Sequence, residues 1–230
     1  MKKLMMVLGA WCMVLGAAGA NANKIAPDMV MIPGKGKLTF VNAAGVDDKH
    51  LERAASVMRN FLSIETEVCA GSWSVETAKK TVADKKAAAM VFVVKDEKLP
   101  MSLAALEDRW AMANVAGLSD KAAPRQILRM AALVIGCASS KYESSLMRPS
   151  FSPADLEKRG DNLTIDSLMA ILPNLEAHGF KPFQVIDYQS ALDEGIAPPP
   201  ANDEQRKIKA EWEKEAAAAA KAAEAKKSKK

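Results

Sequence analysis

Residues 127–147 read Ile-Leu-Arg-Met-Ala-Ala-Leu-Val-Ile-Gly-Cys-Ala-Ser-Ser-Lys-Tyr-Glu-Ser-Ser-Leu-Met. From Ile127 to Ala138 the only charged side chain is Arg129. Pro124 is placed to open a helix over about 122–137, because proline fits a first turn where its missing N–H costs nothing. A helix apolar on every side has no face for water and is expected in a core. Arg129 then needs a carboxylate or several carbonyls, or must reach water along its apolar stem.

Upstream of this helix, strand and helix patterns alternate. Leu38–Ala43 reads as a short buried strand after the turn residues Pro33-Gly34-Lys35-Gly36. Asp47 is placed to cap a helix with Leu51, Ala54, Ala55, Met58, Phe61 and Leu62 at helical spacing. Ser63–Val68 is β-branched and alternating, and a helix capped by Ser74 is expected over 75–86. The continuous apolar run Ala88–Val94 suits a strand covered on both faces. Met101–Leu106 and Trp110–Val115 flank the polar Glu107-Asp108-Arg109 as a hairpin. After the 122–137 helix come an irregular stretch to Gly160, a helix from Thr164 to His178 broken near Pro173, and a short strand over 183–187. The pattern predicts an α/β (α+β) domain with a mixed sheet packed against helices.

The ends differ from this core. Lys2 and Lys3, the apolar run Leu4–Ala20 and the small-x-small Ala20-Asn21-Ala22 predict a signal peptide over 1–22, cleaved between Ala22 and Asn23. Export follows, to a periplasm or the exterior, with no transmembrane segment in the mature chain. Trp11 before Cys12 argues against lipid attachment there. Of 32 Lys and Arg, two leave with the signal, so 30 face 28 acids and the net charge is +2. That balance argues against a nucleic-acid partner. The mature domain is expected over 23–195, a stiff Pro-rich hinge over 196–202, and an Ala/Lys/Glu-rich helical tail over 203–230. Only Ile208 and Trp212 are large and apolar in that tail. It reads as a solvated helix or as a contact for an anionic envelope surface. Cys69 and Cys137 remain in the mature chain, as a possible disulfide or as two small buried hydrophobes.

Catalytic motifs are sparse. His50 and His178 lie in separate helical segments, each read as a helix-end or surface residue. No Gly-rich phosphate loop, Gly-x-Ser-x-Gly elbow or Cys-x-x-Cys pair occurs.

The 127–147 stretch resembles the zinc-helix motif of the archaemetzincins, zinc peptidases of metzincin fold. Their motif runs His-Glu-x-x-His-x-x-Gly-x-x-His-Cys, then after four residues Cys-x-Met, and after a longer gap Cys-x-x-Cys. With the motif glycine on Gly136, Arg129 falls at the first zinc-binding histidine, Met130 at the general base, Leu133 at the second histidine and Ser139 at the third. Ser140 and Ser145 fall at cysteines, Met147 on the Met-turn methionine, and Ile165 and Leu168 on the last cysteine pair. Residues 108–118 resemble the strand leading into the zinc helix, and Gly179-Phe180 the family's closing turn. The resemblance covers roughly 36–190.

The resemblance implies a metzincin-like fold in which the catalytic motif has been lost. Zinc catalysis needs three protein ligands and an open position for water. Arginine, leucine and serine do not supply them, and methionine cannot take water's proton, so no cofactor is expected. Arg129 would stand where the metal charge was, facing Asp108 or Asp155. The function expected is that of a pseudo-peptidase binding a peptide or protein partner along the edge strand Met101-Ser102-Leu103-Ala104-Ala105-Leu106. The alternatives are a non-enzymatic envelope component attached by its charged tail, and an active hydrolase with an unrecognised site.

Overall fold

The structure, a computed structural model, describes residues 26–85 and 88–227. The expected signal peptide and the Ala22–Asn23 cleavage point lie outside the described residues. Two compact units are formed by the described residues, one by Pro33–Gln184 and one by residues 26–32 together with 185–227.

The Pro33–Gln184 unit is built on a five-stranded sheet in the order β3-β2-β4-β6-β5. Strands β2 (Lys37–Asn42), β3 (Glu65–Ala70), β4 (Ala89–Val94) and β6 (Trp110–Asn114) are parallel, and β5 (Ser102–Ala105) runs antiparallel to β6 at the edge. Every residue of β4 and β6 is buried, as a parallel sheet covered on both faces requires. Helix α1 (Asp48–Leu62) carries β2 across to β3, and α2 (Val75–Lys85) carries β3 back past β2 to β4. Asp47 starts α1 by accepting from the Lys49 N–H at 3.0 Å. Ser63 ends it in the left-handed region at φ 52°.

The two sheet faces bury different material. On one, Ala78 and Val82 of α2 join Met90, Phe92, Trp110 and Met112, with Trp73 tilted on Phe92 at 5.4 Å and edge-on to Trp110 at 5.3 Å. Helix α3 (Ala122–Val134) packs against both α1 and the central strands β4 and β6. The Ala122–Cys137 expectation thus holds with a shorter C-terminal end. The stretch expected to be irregular contains α4 (Pro153–Glu157), started by a Ser152/Asp155 capping box. The 164–178 helix is broken where expected: α5 (Ile165–Ile171) passes into a 3-10 turn over Leu172–Asn174, which contains Pro173.

The second unit pairs β1 (Met29–Ile32) with β7 (Gln184–Asp187). The last strand is therefore not part of the five-stranded sheet, and β1 was not anticipated from sequence. Helix α6 (Tyr188–Asp193) follows, and α7 spans Asp203–Lys227. Ile208 and Trp212 of α7 pack on Val30, Tyr188, Ala191 and Leu192. Trp212 Nε1–H also donates to Asp193 Oδ1 at 2.8 Å. The Gln205 side chain is buried, donating to the carbonyls of Pro27 (2.9 Å) and Met29 (3.3 Å) and accepting from the Ala201 N–H at 2.9 Å. The expectation of a solvated tail is corrected for this first stretch: two apolar residues one turn apart suffice when a small apolar platform meets them. Residues 213–224 are exposed throughout.

Deleting 203–230 should therefore cost about 2–4 kcal/mol of stability, from lost apolar burial and orphaned carbonyls. Trp212→Ala alone should cost about 1–3 kcal/mol. Calorimetry of the 23–230 chain and its variants checks both, and an unchanged melting temperature on truncation would contradict the docking of α7.

Candidate functional site

Helix α3 is buried on almost every side, as its sequence requires. Its start is capped from outside the helix: Ser119 Oγ accepts from the Ala122 N–H at 3.1 Å. Its end is a Schellman closure, with Cys137 N–H donating to Ala132 O at 2.9 Å and Gly136 N–H to Leu133 O at 3.0 Å. Gly136 sits at φ +96°, and a Cβ there would lie 2.6 Å from His178 Cε1. The glycine is needed twice, for its backbone and for the imidazole edge laid against it. His178 is anchored by Nδ1 to Asn174 O at 2.8 Å.

Two arginines project from α3 into protein, and their surroundings differ. Arg125, 4% exposed, donates from Nε to Asp161 at 2.7 Å and from Nη1 to the carbonyls of Leu156 (3.0 Å) and Glu157 (2.9 Å). Its Nη2 lies 2.6 Å from the same Asp161 carboxylate. Arg125 ties α3 to the turn beyond α4, a role the sequence reading did not assign. An arginine one helical turn before Arg129 was the available signal.

Arg129 is 7% exposed and has no carboxylate partner among the described residues. Its Nη1 approaches Met130 Sδ at 3.9 Å, and its buried Nε–H has no partner. Burial first, and the Arg159 charge second, hold its guanidinium below the ordinary arginine range. The expected partners are otherwise engaged. Asp108 pairs with Lys79 at 3.5 Å, and Asp155 accepts from Phe151 N–H, Ser152 N–H and Ser152 Oγ. An N-cap's demand for its own carboxylate is local and outcompetes a distant arginine.

The other motif positions are now placed. Met130 and Met147 are fully buried, Leu133 is half-buried and Ser139 exposed. The segment after α3 folds back so that Ser140 N–H donates to Met147 O at 3.1 Å, and Ser145 Oγ accepts from Met147 N–H at 3.2 Å. Arg159 holds this segment from the far side, donating to Glu143 O at 2.6 Å and Pro149 O at 3.5 Å. The residues do not fit a zinc ion. A guanidinium repels it, leucine offers no lone pair, and Ser139 alone remains. Among the described residues no group of three His, Cys, Asp or Glu could hold a metal.

The possible Cys69–Cys137 bridge is corrected: both are thiols. Cys69 lies on β3, at the sheet edge opposite β5. The Cys137 Sγ is turned to the carbonyls of Ala138 (3.6 Å) and Ser167 (3.7 Å) beyond α3. Burial pushes the Cys137 thiol up, only partly opposed by the Ser167 bond. His50 lies on α1, with Nε2 3.4 Å from Asp120, away from Cys137 in sequence and without a thiol partner.

The edge strand is as expected: β5 pairs on one side only. Met101 O accepts from Asn114 N–H at 3.0 Å, so Met101 and Asn114 form a hydrogen-bonded pair. Alternation then turns the N–H and C=O of Ser102 and Ala104 outward, away from β6. Leu103 and Leu106 are 40% and 50% exposed on this edge. Gln126 of α3 joins the edge to the motif helix, donating to Met101 O at 2.6 Å.

Two substitutions test this framework. Gly136→Ala should cost about 1–3 kcal/mol through backbone strain and displacement of the His178 ring. Arg125→Met should cost about 2–4 kcal/mol by orphaning the Leu156 and Glu157 carbonyls. Urea titrations of both variants measure these losses, and near-neutral values would show that neither contact braces α3.

No protein-family model and no curated protein matches the sequence. Solved structures similar in fold include an archaemetzincin, a zinc-dependent peptidase and a second archaemetzincin. An archaemetzincin from Methanopyrus kandleri superposes with a TM-score of 0.51 at 13% identity, covering 61% of this chain and 96% of its own. A zinc-dependent peptidase from Methanocorpusculum labreanum gives 0.46 at 7% identity, over 58% and 99% of the two chains. An archaemetzincin from Archaeoglobus fulgidus, complexed with malonate, gives 0.45 at 14% identity, over 59% and 99%. The chain therefore carries an archaemetzincin-like fold.

Proposed function

We propose that this chain is an exported, catalytically silent protein of archaemetzincin-like fold that binds an extended peptide as an added strand on β5. The single observation that carries this reading is the free outward edge of β5, one hydrogen bond away from the face of α3 where a zinc peptidase would have its metal. Ser102 and Ala104 offer their N–H and C=O to such a strand, while Leu103 and Leu106 offer apolar contact. Loss of turnover is supported by chemistry: no side chain at 129, 130 or 133 can ligate zinc or deprotonate water. The Cys137 thiol, raised by burial, is a poor nucleophile at neutral pH. Export is read from residues 1–22. No helix among the described residues is long and apolar enough to cross a membrane.

The test is binding without cleavage. The 23–230 chain should bind extended peptides with the largest amide shifts at Ser102 and Ala104, hydrolyse none of them, and carry no stoichiometric zinc. Ala104→Pro removes an outward N–H while leaving the β5–β6 ladder intact. It should weaken peptide binding about tenfold with little change in melting temperature. One tightly held zinc per chain, or hydrolysis abolished by chelators, would overturn the reading.

A further inference from the structure

The region around Arg129 holds donors that the fold leaves unused. Arg129 Nε, Arg159 Nε and Ser150 Oγ are all buried without a hydrogen-bond partner, and the Gln126 Oε1 acceptor is likewise unpartnered. Arg129 and Ser150 are each more than nine-tenths buried. These groups belong to one neighbourhood. Helix α3 packs on α4, whose flanks are Ser150 and Arg159. Arg159 Nη2 in turn reaches the carbonyl of Pro149, the residue before Ser150. Gln126 and Arg129 are three apart on α3 and share a face, and Gln126 grips the start of the edge strand through Met101 O.

Leaving a guanidinium buried without an acceptor is costly, and a second guanidinium beside it raises the cost. Carboxylates near the pair do not relieve it. Asp155 acts on Arg159 through space while its Oδ2 accepts from Phe151 and Ser152. Glu143 faces Arg148, and Asp161 faces Arg125 and Arg53. The unused donors are the Nε–H of two guanidinium groups and one hydroxyl, and N–H and O–H donors of this kind suit a carboxylate.

We propose that Arg129 and Arg159, with Ser150, form a carboxylate-binding site that receives the free C-terminus of the peptide laid along β5. The inference rests on the strand-binding reading above and adds its specificity: a partner ending in a free α-carboxylate. A substituted motif position thereby gains a role opposite in charge preference to that of a metal's ligand. The site recognises an anion where a zinc site would hold a cation.

The experiment compares a valine–threonine pentapeptide as free acid and as C-terminal amide, titrated by NMR into the 23–230 chain and its Arg129→Met variant. The free acid should bind the unmodified chain about tenfold or more tightly than the amide, as expected for charge-assisted hydrogen bonds. Arg129→Met should erase that ratio while amide shifts at Ser102 and Ala104 persist with both peptides. Sodium acetate, compared with chloride at equal ionic strength, should raise the melting temperature of the unmodified chain and not of Arg129→Met. That arm reads the carboxylate site independently of the strand and separates a peptide terminus from a free small carboxylate. Equal binding of acid and amide on β5 would overturn the inference and leave strand binding standing. Acetate stabilisation confined to the arginine-bearing chain, with no pentapeptide bound, would overturn both the strand reading and the terminus assignment. Stabilisation by phosphate equal to that by acetate would overturn the carboxylate assignment.

Discussion

A helix with no face for water governs the Pro33–Gln184 unit. Because α3 is buried around almost its whole circumference, the sheet, α1 and α4 all close on it, and the chain must leave it without exposing the last carbonyls. The Schellman closure at Gly136 meets that second demand, and the His178 imidazole seals the space a side chain would have filled. Both depend on the absence of a Cβ. The glycine that aligns with a zinc-peptidase motif therefore has a sufficient structural reason to be glycine whether or not any metal chemistry survives.

The contrast between Arg125 and Arg129 shows how one helix carries a bracing and an idle charge. They are one turn apart and almost equally buried. Arg125 satisfies its fork on Asp161 and two carbonyls, and so converts a buried charge into a tie between α3 and the α4 region. Arg129 has only a thioether and another cation nearby. Such an arrangement costs stability, and polar groups left unsatisfied in a core mark places where stability is not the whole selection.

The archaemetzincin-like fold presents two features of independent use. One is an edge strand whose outward backbone groups need no side-chain chemistry to bind a peptide. The other is a neighbouring helix face free to acquire new polarity. The backbone scaffold is held by the buried surround of α3 and by caps at its ends.

The sequence by itself determined the elements whose causes are local. Asp47 and Ser74 start their helices by bonding amides two or three residues on. Pro173 breaks the helix it enters, and the unbroken apolar run at 89–94 and the stretch 127–138 with its single charge announce burial whatever their partners. The edge position of β5 and the archaemetzincin-like order of elements were also legible, through hairpin patterning and motif spacing. Tertiary structure alone decided what depends on partners remote in sequence. Arg129 feels the charge of Arg159, while Asp155 accepts at its own helix start. The two cysteines stay apart because Cys69 packs in the cluster with α2 while Cys137 follows α3 and meets Ser167. Strand β1 forms because β7, more than 150 residues later, supplies its hydrogen bonds. Ile208 and Trp212 are a thin stripe in isolation and become a packed contact only against Tyr188 and Leu192. Burial of a few apolar residues depends on what meets them, and one-dimensional periodicity does not record that.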